Sequence, residues 1–262
     1  MTVKIALLQI ESVQGDAEGN LRRAQEALNQ SATEGAQYAC LPACFRLGRL
    51  SPNTADQAEP IPGPTTEMFG RLAHEKLIYL AAGLTRSKKD GDQTKIFCSA
   101  FFINTYGKVT LDQDQICIQE HCRGTYTGGS LEESLLVDTG YGRAMLAIDE
   151  DALAGELLSR FAEKNPEIVF SPAAWMVNPS AKEQGKGPEE VGGEIEKRLA
   201  ALCRQYKVYL FAANSWGCEV ADGPWAGAAT FGRSLAIGPD GAVLARGSAS
   251  GPDIVLAEVD LD

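Results

Sequence analysis

The order of apolar patterns along the chain predicts an α/β (α+β) domain, with mixed sheets covered by helices. Three observations carry that expectation. Apolar runs of strand length, Val3–Gln9 and Tyr38–Leu41, flank a segment of helical length with Leu21, Ala24 and Leu28 on one face. Turn signals at Thr105–Lys108 and Gly238–Gly241 sit between extended segments and add hairpins that a purely parallel sheet lacks. No internal repeat, low-complexity tract or domain-like linker divides residues 1–262, so the chain is read as one domain.

Val3–Gln9 is a buried first strand. Residues 15–20 (GDAEGN) turn into the first helix, and Tyr38–Leu41 returns as a strand that ends at Pro42, which makes a parallel strand–helix–strand unit. A linker through Pro52, Pro60 and Ile61–Pro64 leads to a helix with Met68, Leu72 and Ala73. Strands follow at Ile78–Leu84 and Ile96–Ile103, the latter paired through Thr105–Lys108 with Val109–Ile118. Ala144–Ile148 is a short buried strand that breaks at Asp149, Glu150 and Asp151 into a helix with Leu153, Leu157, Leu158 and Phe161 on one face. Next come the strand Ile168–Ser171, a Gly- and Lys-rich loop, and a helix presenting Val191, Ile195, Leu199, Leu202 and Tyr206. Strands at Val208–Ala213, Ser234–Ile237, Val243–Arg246 and Ile254–Val259 complete the chain.

Against 24 basic residues stand 35 acidic ones, a net charge of −11, which disfavours nucleic acid and anionic membrane as partners. The run in Met1–Ser12 is too short and too interrupted by charge for a signal peptide or a membrane span, so the expected location is cytoplasmic. Seven cysteines, at 40, 44, 98, 117, 122, 203 and 218, form no disulfide framework and suit a reducing compartment. With His74 and His121 as the two histidines, acid–base chemistry near neutral pH has few candidates.

The junction at Asp149 is the focus of the chemistry. A strand that feeds a helix holds one side chain at the mouth of a sheet above free N–H groups, a place where α/β enzymes put a nucleophile. Asp149 has two readings there. It replaces a catalytic group, or it is a helix N-cap accepting from the N–H groups of Asp151 and Ala152, with Glu150 and Asp151 favoured in the first turn by the helix dipole.

The motifs KIALLQ at the start, Leu41–Pro42, NTYGKV (104–109), GRAMLAI (142–148), Ser171–Trp175, Ala213–Gly217 and FGRSLAIGPDGAVLA (231–245) together resemble the carbon–nitrogen hydrolase family, the nitrilase superfamily. The resemblance runs from Ile5 to about Val259 and implies a four-layer α-β-β-α sandwich, assembled as a homodimer or higher homo-oligomer. It further implies hydrolysis or condensation of amides, nitriles or carbamoyl groups with no cofactor or metal, by a cysteine nucleophile, a glutamate base and a lysine. Carried over by position, the glutamate falls on Ala43, the lysine on Gln115 and the cysteine on Asp149. A second glutamate found in many members falls on Cys122, or on Glu120 with a slip in register.

A methyl group at Ala43 takes no proton, Gln115 brings no charge, and a carboxylate at Asp149 puts negative charge where an oxyanion would form. The expectation is therefore a non-catalytic member acting through ligand or partner binding; the alternative is altered C–N hydrolysis using Asp149 and neighbouring acids such as Glu120. Pocket candidates are Phe45, Glu120, Glu150, Trp175, Asn214 and Trp216, around a small molecule that an acidic floor would select as neutral or cationic. Cys44, a neighbour of Ala43 on an extended segment, is expected to face away from the pocket. Cys117, Cys122 and His121 have no metal-site spacing, and the consecutive acids at 149–151 diverge too widely to grip one ion.

Overall fold

The computed structural model describes residues 1–52, 54–130 and 136–261. Strand β1 (Thr2–Gln9) leads to α1 (Ala17–Thr33), whose N-cap Asp16 accepts from the Gly19 N–H at 3.0 Å, and β2 (Tyr38–Cys40) returns parallel to β1. There follow α2 (Thr54–Gln57), α3 (Pro64–Lys76), β3 (Tyr79–Asp90), β4 (Gln93–Ile103) and β5 (Val109–Asp114). Then come β6 (Leu136–Thr139), β7 (Gly142–Leu146), a 3₁₀ turn at Asp149–Leu153, α4 (Gly155–Ala162), β8 (Ile168–Ala173), β9 (Met176–Val177), α5 (Pro179–Glu183) and α6 (Pro188–Tyr206). The chain ends with β10 (Tyr209–Asn214), β11 (Trp216–Glu219), β12 (Ala229–Phe231), β13 (Leu235–Ile237), β14 (Val243–Arg246) and β15 (Asp253–Asp260).

Two six-stranded mixed sheets result, β15-β1-β2-β3-β4-β5 and β14-β13-β10-β8-β7-β6, with β11-β12-β9 as a small third sheet. Period-two alternation explains why β1 is apolar throughout: Ile5 and Leu7 enter the core between the large sheets, while Ala6 and Leu8 pack outward under α1 and α3. Three cores therefore separate four layers. Phe102, Phe170 and Phe211 fill the middle one, Leu28 and Phe69 the α1/α3 side, and Leu157, Leu199 and Leu210 the α4/α6 side. Tyr38 ties the sheets together, its ring 5.0 Å from Tyr79 and 5.4 Å from Phe170, and its hydroxyl bonded to Thr139. Full burial of each such side chain is worth roughly 1.5–3 kcal/mol.

The turn after β4 is set by Asn104, whose side-chain oxygen accepts from the N–H groups of Tyr106 and Lys108 while Gly107 takes a positive φ of 75°. The strand expected over Val109–Ile118 stops at Asp114. Beyond it the N–H groups of Ile116 and Cys117 point to the Asp151 carboxylate, at 3.1 and 2.7 Å, and leave the ladder. β7 likewise does not run directly into a helix; the 3₁₀ turn intervenes and holds Leu153, and α4 carries Leu157 and Leu158. The Phe161 side chain lies outside the described set. Among the described residues no helix is long and apolar enough to cross a membrane.

Candidate functional site

Asp149 follows β7 with φ +52°, a left-handed conformation that Asp adopts more readily than most residues. Its side chain is 1% exposed. One carboxylate oxygen is ion-paired with Nη1 of Arg49, itself 2% exposed, and the other accepts from the Ala174 N–H at 2.9 Å. The capping expectation is corrected: the cap position of the 3₁₀ turn is Ile148, no side chain caps it, and the Asp149 carboxylate is turned away from the turn to Arg49. Burial pulls the Arg49 guanidinium down, yet Asp149 and the surrounding Cys122, Cys98 and Cys44 hold it well above its usual value. Its Nη2 lies 3.4 Å from Cys122 Sγ. The turn Glu120–Cys122 therefore brings Cys122 to the site and leaves Glu120 exposed.

Ala43, in the turn after β2, donates its N–H to Ala173 O at 3.0 Å and packs so tightly on Gly83 of β3 that a Cβ there would lie 2.4 Å from Ala43 Cα. Gln115, fully buried just past β5, spends its amide N–H on Cys117 O at 3.1 Å, and its oxygen has no partner among the described residues. Cys44 departs from the expected orientation. It lies beyond the end of β2, where alternation no longer applies, has φ +50°, and joins Ala43 in the core between the sheets with its Sγ 3.5 Å from Cys98 Sγ. The hydrogen bond between these thiols lowers Cys44 to about 7 against its burial and raises Cys98 well above the thiol range.

Beside the ion pair opens a cleft of about 170 Å³, bordered by Arg49, Gln119, His121, Glu150, Trp175 and Trp225 among others. Glu150 accepts from the Gln119 amide, and burial, then the Asp149 charge, raise it to about 7. His121 stacks on Trp225 with centroids 3.5 Å apart at 15°; burial, then Arg49, lower it to about 4, so it is neutral at pH 7. Asp151 is raised to about 6 by burial, which its two backbone N–H donors partly offset. The three acids thus serve three different partners, Arg49, Gln119 and a backbone turn, and among the described residues no group of three or more His, Cys, Asp or Glu could hold a metal. Wider hollows, about 420 Å³ beside Glu11 and Arg23 and about 650 Å³ beside Ser51 and Asp222, reach none of Ala43, Gln115 and Asp149.

Of the six expected pocket residues, Glu150 and Trp175 border the cleft and four do not. Phe45 turns the other way, into the α1/α3 core, against Phe69 at 5.5 Å. Glu120 points to solvent. Asn214 is a buried peg that accepts from the Trp175 N–H and donates to Trp175 O and Gly232 O, so it positions Trp175 from behind. Trp216 belongs to β11, paired with Phe231 across the small sheet. Arg49, Gln119, His121 and Trp225 also line the cleft, although their sequence context alone does not place them there. Arg49 did leave a signal, a lone charge between Leu47 and Leu50 that needs a buried partner; Trp225, on a distant loop, left none.

The sequence model of the carbon–nitrogen hydrolase family matches residues 4–262. Among characterised relatives, omega-amidase NIT2 of Bos taurus is 26% identical over 99% of this chain and 89% of its own length, and that of Homo sapiens is 27% identical over 83% and 79%. Among solved structures, a carbon–nitrogen hydrolase from Helicobacter pylori G27 superposes with a TM-score of 0.87 at 20% identity, covering 99% of this chain and 89% of that one. An amidase from Nesterenkonia sp. gives 0.80 at 19% identity, covering 98% and 90%. These structural likenesses speak for the four-layer fold.

Proposed function

Because the chain belongs to the carbon–nitrogen hydrolase family, we propose that it uses the family's scaffold to bind a small molecule and has given up the family's thiol chemistry. The observation that carries this reading is the buried Arg49–Asp149 ion pair. Attack on an amide needs a nucleophile whose electron pair is free and a donor aimed at the oxyanion. Here the elbow carboxylate is already engaged by Arg49 and by the Ala174 N–H. Ala43 supplies no base, and Gln115 directs its side-chain N–H to the Cys117 carbonyl. Loss of a general base costs about 10²–10⁴ in rate, and loss of a nucleophile on the order of 10⁶ in a triad enzyme. The reading includes a homo-oligomeric cytoplasmic protein, which sedimentation and fractionation would check.

A second reading, altered C–N hydrolysis, is favoured by one specific observation. Glu150, bordering the cleft, has an acidity near 7, where a carboxylate works well as a general base on water. That curated relatives are named omega-amidases supports it as well. Ammonia release from a panel of primary amides, measured at high protein concentration, separates the two. The binding reading expects no release above buffer; release that disappears in both Asp149→Asn and Glu150→Gln would replace it with the hydrolytic one.

A further inference from the structure

Cys44 and Cys98 lie 54 positions apart in the chain, yet their sulfurs are 3.5 Å apart in the core between the large sheets. Cys98 is on β4, opposite Thr85 of β3, whereas Cys44 belongs to the turn after β2, so the turn has to cross β3 to reach it. Gly83 permits the crossing. Its N–H donates to Pro42 O at 3.2 Å, and the missing side chain leaves room for the Ala43 backbone. Among the described residues no other two thiols share such a contact. The pair also has polar company, with the Tyr126 hydroxyl 3.7 Å from Cys44 Sγ and the buried Arg49 guanidinium drawing Cys44 towards its thiolate.

We propose that Cys44 and Cys98 form a redox modification site, which hydrogen peroxide converts into a disulfide that fastens the turn after β2 to β4. The Cys44 thiolate attacks one peroxide oxygen, the O–O bond breaks, and the departing hydroxide takes up the proton that the thiol released, leaving a sulfenic acid and one water. Cys98 sulfur then attacks Cys44 sulfur, the S–O bond breaks, and the hydroxyl leaves with the Cys98 proton as a second water. Each thiol gives up one proton and one electron, and the peroxide is reduced. The two cysteines suit these different parts. Their shared hydrogen bond, aided by Arg49, brings Cys44 to about 7 against its burial, and the same bond, then burial, holds the proton on Cys98. Bond formation shortens the separation to roughly 2.05 Å, a closure that a turn supplies more easily than a central strand. A route in exists beside the hollow of about 650 Å³ bordered by Leu50, Ile96, Thr125 and Thr127. Leu50 and Ile96 pack against the core that holds both thiols, and Tyr126 reaches from between the two threonines to Cys44. The same turn leads on to Arg49, so the bond also ties down the segment that carries the buried guanidinium. A pair that is reduced at rest and oxidised on demand fits a chain whose thiols form no disulfide framework.

The test exposes the folded full chain to hydrogen peroxide at neutral pH, unfolds it in urea with iodoacetamide so that every remaining thiol is alkylated, and reads the intact mass and the unreduced peptide map. The expected result is two fewer alkylations than in the untreated chain, one cross-linked peptide pair containing Cys44 and Cys98, and loss of that cross-link on treatment with dithiothreitol. Cys98→Ser leaves the sulfenic acid without a partner, so dimedone should trap it at Cys44; Cys44→Ser should give neither cross-link nor trapped adduct at Cys98. The proposal is overturned by a folded parent that keeps all its thiols, by a cross-link joining other cysteines, by one equally abundant when peroxide meets the urea-unfolded chain, or by Cys44 driven to sulfinic acid while Cys98 stays free. If a serine variant fails to fold, the peptide map of the parent decides alone. None of these readouts involves amide turnover or binding in the cleft, so the result is separate from that of the proposed function.

Discussion

Removing one member of the Arg49–Asp149 pair should harm the fold more than removing both. Both side chains are at most 2% exposed, so Asp149→Asn leaves a buried guanidinium with no counter-charge although the Ala174 N–H keeps an acceptor. Breaking a buried pair in this way costs about 3–5 kcal/mol, a large share of the roughly 5–15 kcal/mol that holds a domain together. At roughly 2–4 °C per kcal/mol for a chain of this size, the loss in Tm is about 6–20 °C. Arg49→Met combined with Asp149→Leu removes both charges and keeps most of the volume, and replacements of this kind are close to neutral. Urea unfolding of the parent, both single variants and the double variant measures the four stabilities, with the slope checked for constancy. If Asp149→Asn stays within about 1 kcal/mol of the parent, or if the two single losses simply add in the double variant, the charges do not depend on each other and the reasoning fails.

Stability should also fall as pH rises between about 4.5 and 7. Glu150 is raised from 4.5 to about 7 and Asp151 from 3.8 to about 6, both first by burial, so in that window the folded chain holds protons that the unfolded chain has released. The slope of unfolding free energy is then negative, at most about 1.4 kcal/mol per pH unit for each group, and Glu150→Gln should flatten its share in pH-dependent urea melts. Gly83→Ala should destabilise by about 1–3 kcal/mol or more, because the new Cβ lies 2.4 Å from the Ala43 backbone and neither β3 nor the turn can yield cheaply. Iodoacetamide followed by intact mass should modify the folded chain slowly and at no more than one thiol. Six of the seven cysteines are buried, and burial, then Asp151, raise the half-exposed Cys117 to about 11. Rapid labelling of Cys44, whose acidity is near 7, would mean that the space between the sheets opens.

The framework was legible because β1, β8 and β10 are continuous apolar runs of strand length, buried on both faces, while α1 and α6 bury one stripe at period 3.6. Short pieces such as β9, with two residues, and β12, with three, carry too few positions for any period to show. At the site, the identities at 43, 115 and 149 could be read from the chain, but partnerships could not. An Asp before a helical pattern fits a cap as well as it fits a buried ion pair, and only the long-range approach of Arg49, a hundred residues upstream, decides between them. Phe45 failed as a pocket residue for a related reason: the turn beyond β2, with Cys44 at positive φ, breaks the alternation from which its direction would be inferred.

The geometry of the elbow follows from this pairing. A side chain at φ +52° after a buried strand costs on the order of 1–3 kcal/mol, and such strain persists where the surroundings over-determine it. Drift towards an ordinary helix start would relieve that strain. Asp149 prevents that drift because both its oxygens are satisfied only in the strained conformation, one by Arg49 and one by the Ala174 N–H. The ion pair therefore also keeps the β7 and β8 ends together. With them it keeps the cleft in which Glu150 and Trp175 meet.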